Sequence, residues 1–155
     1  MPGSRFVYVS YIRASPPRLW DALVNPDLQR QYWFGVYQHS GWTAGSTWTM
    51  KNAEDAIVNA GRILESDPPQ RLLIAWRNEA RPELKAEGDS RCAYQIDADG
   101  DMCRLTIVHE IALTNSKLIE LTATSWPKVV SSLKSLLETG APLPRPADVP
   151  AQANA

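Results

Sequence analysis

The sequence is poor in the residues that build metal and nucleophilic centres, with two cysteines and two histidines among its 155 residues. Cys92 and Cys103 flank Asp99-Gly100, a strong signal for a hairpin turn between two alternating runs. A turn centred there offsets the two cysteines by about 13 Å along the strands, whereas a disulfide needs Cα atoms within about 7 Å. We therefore expect both cysteines to be reduced residues of the core.

An excess of charge is also lacking, since sixteen basic side chains stand against seventeen acidic ones and no basic run occurs. This excludes the concentrated positive face on which nucleic-acid binding usually depends. No apolar stretch approaches the roughly 20 residues of a membrane span, and the N-terminus lacks the apolar core of a signal peptide. The length suits one domain. We expect a cytoplasmic domain that binds no nucleic acid and does not insert into a membrane.

Several motifs of catalytic and cofactor chemistry are missing as well. The glycines of 41–45 do not have the spacing of a phosphate-binding loop, and no lysine or helix start follows them. No G-x-S-x-G nucleophile elbow occurs. His39 lies in a predicted loop without partners at metal-ligand spacing. The sequence therefore predicts neither a metal nor a cofactor.

The chain does contain a regular succession of short elements. Residues 5–12 are rich in aromatic and β-branched types and predict a strand. Ser15-Pro16 begins a first short helix that Asn25-Pro26 ends, and residues 27–32 predict a second. Turn residues then separate further strands without room for a crossover helix, so consecutive strands should pair antiparallel. These further strands are predicted at 34–39, 46–51, 57–65, 71–79, 90–97 and 102–113.

The last predicted element is an amphipathic helix that Thr124 or Ser125 caps, with Pro127 in its first turn and Gly140 at its end. One face of this helix is apolar and consists of Trp126, Val129, Val130, Leu133, Leu136 and Leu137. Residues 141–155 are rich in proline and alanine and show no periodicity. We expect a domain of residues 1–140 followed by a disordered tail of residues 141–155.

The 90–113 hairpin alternates in the way expected of strands that are covered on one face. A turn centred on Asp99-Gly100 places Tyr94 opposite Leu105 and Ile96 opposite Cys103. The predicted inner face comprises Cys92, Tyr94, Ile96, Cys103, Leu105, Ile107, His109 and Ile111. A curved antiparallel sheet wrapped around the C-terminal helix, an α+β architecture, is the packing that suits these parts.

Tryptophan is crowded into one part of the chain, because four of the six lie between Trp20 and Trp48. This is more aromatic bulk than one helix and one hairpin need for a core. A tryptophan supplies a large apolar contact area and one N–H group that needs a partner. The distribution is therefore typical of a fold that surrounds an apolar cavity, without indicating what the cavity binds.

Taken in order, the elements and six segments resemble the START-like (SRPBCC), helix-grip superfamily, and within it the bacterial single-domain branch of the activator of the ninety-kilodalton heat-shock protein ATPase. The segments span nearly all of the predicted ordered chain. They are Leu19-Trp-Asp-Ala-Leu-Val-Asn-Pro26, Arg30-Gln-Tyr-Trp-Phe-Gly35, Gly41-Trp-Thr-Ala-Gly-Ser46, Gly61-Arg-Ile-Leu-Glu-Ser-Asp-Pro-Pro69, Leu105-Thr-Ile-Val-His-Glu110 and the run from Trp126-Pro127 to Gly140. One departure is Ser125, where bacterial relatives often carry glycine.

The resemblance implies a helix-grip fold with about six or seven strands and two short helices after the first strand. It does not imply one activity, because the superfamily includes lipid carriers, hormone receptors, cyclases and hydroxylases. Relatives place a strand aromatic at the position of Trp76, which favours that residue as a pocket wall, although core filling explains it equally well. Trp33 and Phe34 resemble a region that covers the pocket, or they attach the second short helix to the sheet.

His109 is the polar residue with the widest range of interpretations. It is either a neutral core histidine whose two ring nitrogens are satisfied by neighbours, across the sheet from about Ser90, or a polar anchor for a ligand. An acid–base role requires a second positioned group, and the predicted strand face offers no carboxylate.

Ten residues are predicted to line a cavity between the C-terminal helix and the inner face of the sheet, with His109 and Tyr94 orienting the ligand. They are Trp33, Phe34, Trp48, Trp76, Tyr94, Ile107, His109, Trp126, Val130 and Leu133. Three functions follow: binding of a small apolar or amphipathic ligand, an interaction module that contacts a chaperone or regulator, and a cyclase-like enzyme with His109 as acid–base. We expect a monomer or a weak dimer.

Overall fold

The computed structural model describes residues 3–147 as seven strands and four helices. In chain order these are β1 (Ser4–Ile12), α1 (Pro16–Val24), α2 (Pro26–Tyr32), β2 (Tyr37–Ser40), β3 (Thr47–Lys51), β4 (Ile57–Asp67), β5 (Arg71–Asn78), α3 (Pro82–Lys85), β6 (Ser90–Asp99), β7 (Met102–Ile111) and α4 (Lys117–Thr139). The predicted order of strands and helices is confirmed. The short helix α3 was not predicted, because Arg81-Pro82 indicated only a turn.

The seven strands form one antiparallel sheet in the order β1-β7-β6-β5-β4-β3-β2. Strands β2 to β7 pair with their neighbours in sequence, as predicted, and β1 joins β7 across the length of the chain. Helix α4 packs against the sheet and buries one side, which includes Trp126, Val130 and Leu133. The α+β, helix-grip architecture is confirmed.

The first short helix begins where the sequence indicates, and the second begins at Pro26, one residue earlier than predicted. The hydroxyl of Ser15 accepts a hydrogen bond from the amide of Arg18, and the side chain of Asn25 accepts one from the amide of Asp27. Each helix carries a proline in its first turn, where a missing N–H costs nothing. These caps turn the chain sharply at Asn25, so that α2 lies next to both β2 and α4.

Helix α4 is longer than predicted, because it begins at Lys117 rather than near Thr124 or Ser125. Ser116 is the N-cap, and its hydroxyl accepts a hydrogen bond from the amide of Ile119. The carboxylate of Glu87 accepts hydrogen bonds from the Ser116 hydroxyl and from the amides of Lys117 and Leu118. Pro127 therefore lies inside the helix, where its position suggested a first turn.

The β6–β7 hairpin keeps the predicted inner face but not the predicted register. Asp99 pairs with Met102, so the loop residues are Gly100 and Asp101, and Tyr94 lies opposite Ile107 rather than Leu105. Gly100 has a φ of +62° at the first loop position, the place of glycine in a type II′ hairpin turn. Shifting the loop by one residue shifts each partner by two, which leaves every side chain on its face.

Gly61 is a point of close approach between β4 and β5. It lies between Trp48 of β3 and Trp76 of β5 in the register of the sheet. A Cβ atom at this position would be 1.7 Å from the carbonyl oxygen of Ala75. Without a side chain at residue 61, the two indole rings approach across β4 to a centroid distance of 4.7 Å.

Residues 141–147 follow α4 without further helix or strand and return along it. The backbone amide of Leu143 donates to the hydroxyl of Ser132, which is fully buried. Residues 148–155 of the predicted tail lie outside the described part of the chain. In the part that is described, no helix is both long and apolar enough to cross a membrane.

Candidate functional site

The ten residues predicted to line a cavity all lie between α4 and the inner face of the sheet. None exposes more than 7% of its surface. Nine of them belong to one continuous apolar core, and the tenth, His109, is a buried polar residue that lies among these nine. They are contributed by the α2–β2 connection, β3, β5, β6, β7 and α4. The structure therefore brings the predicted set together, as a packed cluster.

The centre of this cluster consists of aromatic rings around Trp126, which we call the aromatic cluster (Trp33, Trp48, Trp76, Tyr94, His109 and Trp126). The ring of Trp126 lies 5.2 Å from Trp33, 5.9 Å from Tyr94 and 6.1 Å from Trp76, each in an edge-on arrangement. Trp76 also contacts the ring of Trp48. Such edge-on pairs are favourable beyond the area they bury, so helix and sheet are joined here by specific contacts.

His109 is held at both ring nitrogens. The indole N–H of Trp126 donates to Nδ1 over 3.4 Å, which leaves the ring proton on Nε2. Nε2 lies 2.8 Å from the hydroxyl of Ser90, and that hydroxyl donates to the carbonyl oxygen of Trp76. The result is a chain of hydrogen bonds from α4 through β7 and β6 to β5.

Burial lowers the pKa of His109 from 6.5 to about 3. No compensating anion opposes this effect, since the groups bonded to the ring are an indole and a hydroxyl. The imidazole is therefore neutral at any ordinary pH. This geometry matches the first interpretation of His109, a neutral core histidine with both nitrogens satisfied.

Two buried glutamines, which the sequence analysis missed, connect the cluster to α2. The Trp48 indole N–H donates to the side-chain oxygen of Gln38, and the amide of Gln38 donates to the side-chain oxygen of Gln29. Gln29 in turn donates to the carbonyl of Leu23. Their sequence signal was weak, because glutamine is usually exposed. Only the inward positions on α2 and β2 make them part of the core.

Tyr94, on the same strand face as Cys92, is deeply buried. Burial raises the pKa of its hydroxyl well above 10. Burial likewise raises the pKa of the Cys92 thiol. Both cysteines are free and buried, so the predicted reduced state is confirmed. Neither thiol has the lowered pKa of a nucleophile.

The indole N–H of Trp76 differs from these groups. It is fully buried, yet among residues 3–147 no acceptor lies within hydrogen-bond distance of it. The other two indoles around it, those of Trp48 and Trp126, donate to Gln38 and His109. A buried donor without an acceptor is uncommon and costs free energy.

The turn at Trp33, Phe34 and Gly35 covers this cluster from the side of α2. Phe34 has a φ of +56° and Gly35 one of +92°. A left-handed backbone is uncommon for a residue as large as phenylalanine. The side chain of Arg145 donates to the carbonyl oxygen of Phe34 over 3.3 Å, so the segment after α4 holds this turn.

Other polar features lie away from the cluster. Four clefts that open on the described surface are lined by outer-face, edge and loop residues, and none contains any of the ten predicted residues. His39 is exposed, in β2 rather than in a loop. In residues 3–147 no three His, Cys, Asp or Glu side chains are grouped as metal ligands would be.

Comparison with known proteins agrees with this architecture. A protein from Mesorhizobium loti (MLL2253) superimposes with a TM-score of 0.75 at 16% identity, over 87% of this chain and 97% of its own. CalU16 from Micromonospora echinospora gives 0.71 at 20% identity, over 92% and 78%. The Aha1 dimer from Colwellia psychrerythraea gives 0.70 at 16%, over 88% and 98%.

These likenesses define the class: the fold is that of START-like, helix-grip proteins. The family described as Activator of Hsp90 ATPase homolog 1-like protein matches residues 13–138, and the chain belongs to this family. No curated protein sequence matches the chain.

Proposed function

We propose that the protein binds a small apolar or amphipathic molecule between α4 and the inner face of the sheet. The observation that carries this proposal is the convergence of Trp33, Trp48, Trp76 and Trp126 from four separate parts of the chain onto one cluster. Ligand sites in proteins are mostly apolar and aromatic, with a few placed polar groups. The aromatic cluster has this composition.

The rings of the cluster are in contact, so a ligand must displace some of them. Burying about 300 Å² of apolar ligand surface would contribute about 7 kcal/mol, before the costs of rearrangement and of lost ligand freedom are subtracted. Micromolar affinity corresponds to about 8 kcal/mol. Affinity in this range therefore requires a ligand that recovers the aromatic contacts it breaks. Flat aromatic molecules such as polyphenols meet this condition better than a single alkyl chain.

A second candidate is an interaction module. Val7, Val9 and Tyr11 alternate along β1, an edge of the sheet, and each exposes 44–48% of its surface. Exposed apolar residues on an edge strand are a means of pairing with another chain. The name of the family and the dimeric Colwellia relative agree with a chaperone partner or a second copy.

We propose no catalytic role for His109. Its two ring nitrogens are occupied by Trp126 and Ser90, and its pKa is about 3. A general base at neutral pH needs a pKa near the working pH and access to the substrate. The cyclase-like alternative therefore lacks its acid–base group in this arrangement.

The two candidates can be separated by a proton–nitrogen NMR titration that follows the indole signals. Flavone, oleate and cholesterol would be the small titrants, and a heat-shock ATPase middle domain the protein titrant. Saturable shifts of Trp33, Trp76 and Trp126 with one small titrant would support the ligand site. The ligand site would be contradicted if the interior indole signals did not shift with any of the three small titrants while amides of β1 shifted with the protein titrant.

Variants on opposite sides of the sheet serve as matched controls. Trp126→Phe removes the indole N–H that holds His109, and should alter small-molecule binding only. Val9→Ser changes the exposed row on β1, and should alter association with a protein partner only. A change in small-molecule affinity in Val9→Ser, with none in Trp126→Phe, would place the binding outside the cluster.

A further inference from the structure

We propose that the indole N–H of Trp76 is the donor for a neutral oxygen acceptor of the ligand, so that the site prefers a flat apolar ketone or ether over the corresponding hydrocarbon or carboxylate. This inference rests on the proposed function and adds the chemical class of the ligand. Its basis is the one indole among Trp48, Trp76 and Trp126 whose N–H has no acceptor in the described chain.

The position of Trp76 makes its N–H available only from within the cluster. Its ring lies 4.7 Å from Trp48, 5.0 Å from His109 and 6.1 Å from Trp126, and it exposes 1% of its surface. Gly61 on the adjacent strand is what allows the ring to pack against Trp48. The donor is thus fixed in direction by rigid strands, which is the usual condition for a polar group that confers specificity.

The imidazole next to Trp76 cannot take over this role, because both of its ring nitrogens already have partners. His109 is bonded to Ser90 and Trp126. A ligand acceptor at Trp76 would satisfy a donor that otherwise remains unpaired. Leaving this buried donor unpaired costs free energy in the unliganded protein. Binding of the ligand removes this cost, which adds to the free energy of binding.

Charge determines which acceptor fits. In the described residues no Asp, Glu, Lys or Arg is buried, so no cation is available inside to neutralise a carboxylate. Placing an unpaired carboxylate in such an interior is far more costly than placing a carbonyl or ether oxygen. Asn78, two residues further along the same face of β5, carries a second buried donor without an acceptor at its side-chain nitrogen. The Trp76 N–H and the Asn78 side-chain nitrogen are both donors, and both suit neutral acceptors.

The test uses fluorenone and fluorene, two molecules of nearly the same flat shape of which only the first has a carbonyl oxygen. Fluorene-9-carboxylate is the charged third probe. We expect the protein to bind fluorenone about tenfold more tightly than fluorene, the value of one buried hydrogen bond in favourable geometry. We expect the Trp76 indole proton to move downfield with fluorenone only, and the carboxylate to bind more weakly than either.

The Trp76→Phe variant keeps an aromatic ring and removes the donor. It should bind fluorenone and fluorene equally, whereas Trp42→Phe, which changes a partly buried indole at the edge of the core, should keep the tenfold preference. If Trp76→Phe does not fold, the Trp76 indole signal of the unaltered protein still reports on the contact, because the comparison of the two probes needs no variant.

The possible outcomes distinguish a failure of this inference from a failure of the proposed ligand-binding function. Equal affinities for the two neutral probes, with shifts in the cluster but none specific to the Trp76 N–H, would overturn the inference and keep the ligand site. Absence of any interior shift with all three probes would count against the ligand site itself. Tighter binding of the carboxylate than of fluorenone would show that a cation reaches the ligand and would also overturn the inference.

Discussion

The indole N–H of Trp126 on α4 donates to Nδ1 of His109 on β7, and this bond fixes the tautomer of the imidazole and joins the helix to the sheet. Nε2 then carries the proton and faces Ser90. A histidine in this position cannot accept a second proton without breaking the bond to Trp126. Through these two bonds His109 joins α4, β7 and β6. Its role in the structure is therefore to connect elements of the core.

The first prediction concerns pH. Because burial lowers the pKa of His109 to about 3, the unfolded chain takes up a proton below pH 6.5 that the folded chain does not accept. This residue therefore leaves stability unchanged above pH 6.5 and lowers it as the pH falls from 6.5 towards 3. At pH 5 the loss in free energy of unfolding should be about 2 kcal/mol. Urea unfolding at several pH values measures it.

The matched variant for this experiment is His109→Gln, which retains a polar side chain that does not titrate. Carboxylates titrate in both proteins, so the difference between the two unfolding curves isolates the histidine. That difference should change by about 2 kcal/mol between pH 7.5 and pH 5. A difference that stays constant over this range would show that His109 is protonated as readily in the folded protein as in the unfolded chain.

The second prediction concerns Ser90. Its hydroxyl lies 2.8 Å from Nε2 of His109 and donates to the carbonyl of Trp76. Ser90→Ala leaves the buried Nε2–H of His109 without a partner, and should lower the free energy of unfolding by about 1–3 kcal/mol. Ser131→Ala, which removes an exposed hydroxyl from α4, should change it by less than about 0.5 kcal/mol. Similar values for the two variants would argue against the hydrogen-bond chain.

The sequence predicted most of the fold because the signals for it are local. Strand alternation, the cap Ser15, the end of the first short helix at Asn25-Pro26 and the closing Gly140 depend on residues close together in the chain. The start of α4 was wrong because its cap includes Glu87, which is about thirty residues away in sequence. Local chemistry around Pro127 favoured a helix start there, and a long-range carboxylate outweighed it.

The candidate site was predicted in part for the same reason. Period-two alternation placed Trp76, Tyr94 and His109 on one face, since faces survive a shift of the hairpin loop. The hydrogen-bond partners of these side chains depend on the register of the strands and on how closely α2 packs against the core. Local sequence patterns do not specify either of these. Gln29 and Gln38 and the unpaired N–H of Trp76 could therefore be recognised only from the folded chain.

The third prediction concerns the long-range cap of α4. Glu87→Gln keeps the shape of the side chain but removes its charge from the helix N-terminus and replaces one acceptor oxygen by a donor. We expect a loss of about 1–2 kcal/mol in the free energy of unfolding, the usual value of an N-terminal cap with a charge contribution. Glu83→Gln, on the exposed side of α3, is the control and should be nearly neutral. Amide exchange in the first turn of α4 should rise only in Glu87→Gln.

The fourth prediction concerns Gly61. Its Cβ position lies 1.7 Å from the carbonyl oxygen of Ala75, a backbone atom that cannot move without disturbing the β4–β5 pair. Gly61→Ala should therefore cost more than about 3 kcal/mol, at the upper end of overpacking effects. In Gly41→Ala the nearest atom is the Ser46 hydroxyl at 3.0 Å, which can rotate away, so the cost should be small. Equal stability of the two variants would mean that β4 and β5 are further apart.

The last prediction concerns the hydrogen bond between Arg145 and the Phe34 carbonyl. Gly35, the next residue, donates its amide to the carbonyl of Arg30, and this bond closes the turn that covers Trp126. Arg145→Ala should leave global stability almost unchanged, because the contact is only partly buried. It should raise the exchange rate of the Gly35 amide about fivefold, which corresponds to losing a stabilisation of about 1 kcal/mol from the left-handed backbone at Phe34.

Arg62→Ala, on the exposed outer face of β4, is the control for this measurement and should leave the Gly35 amide unaffected. If the turn controls access to the aromatic cluster, Arg145→Ala should also increase the rate at which fluorenone binds, while the equilibrium preference over fluorene stays the same. A Gly35 amide that exchanges at the same rate in Arg145→Ala and in the unaltered protein would show that the turn is held by its own residues, because the arginine is then not needed to keep Phe34 in its left-handed conformation.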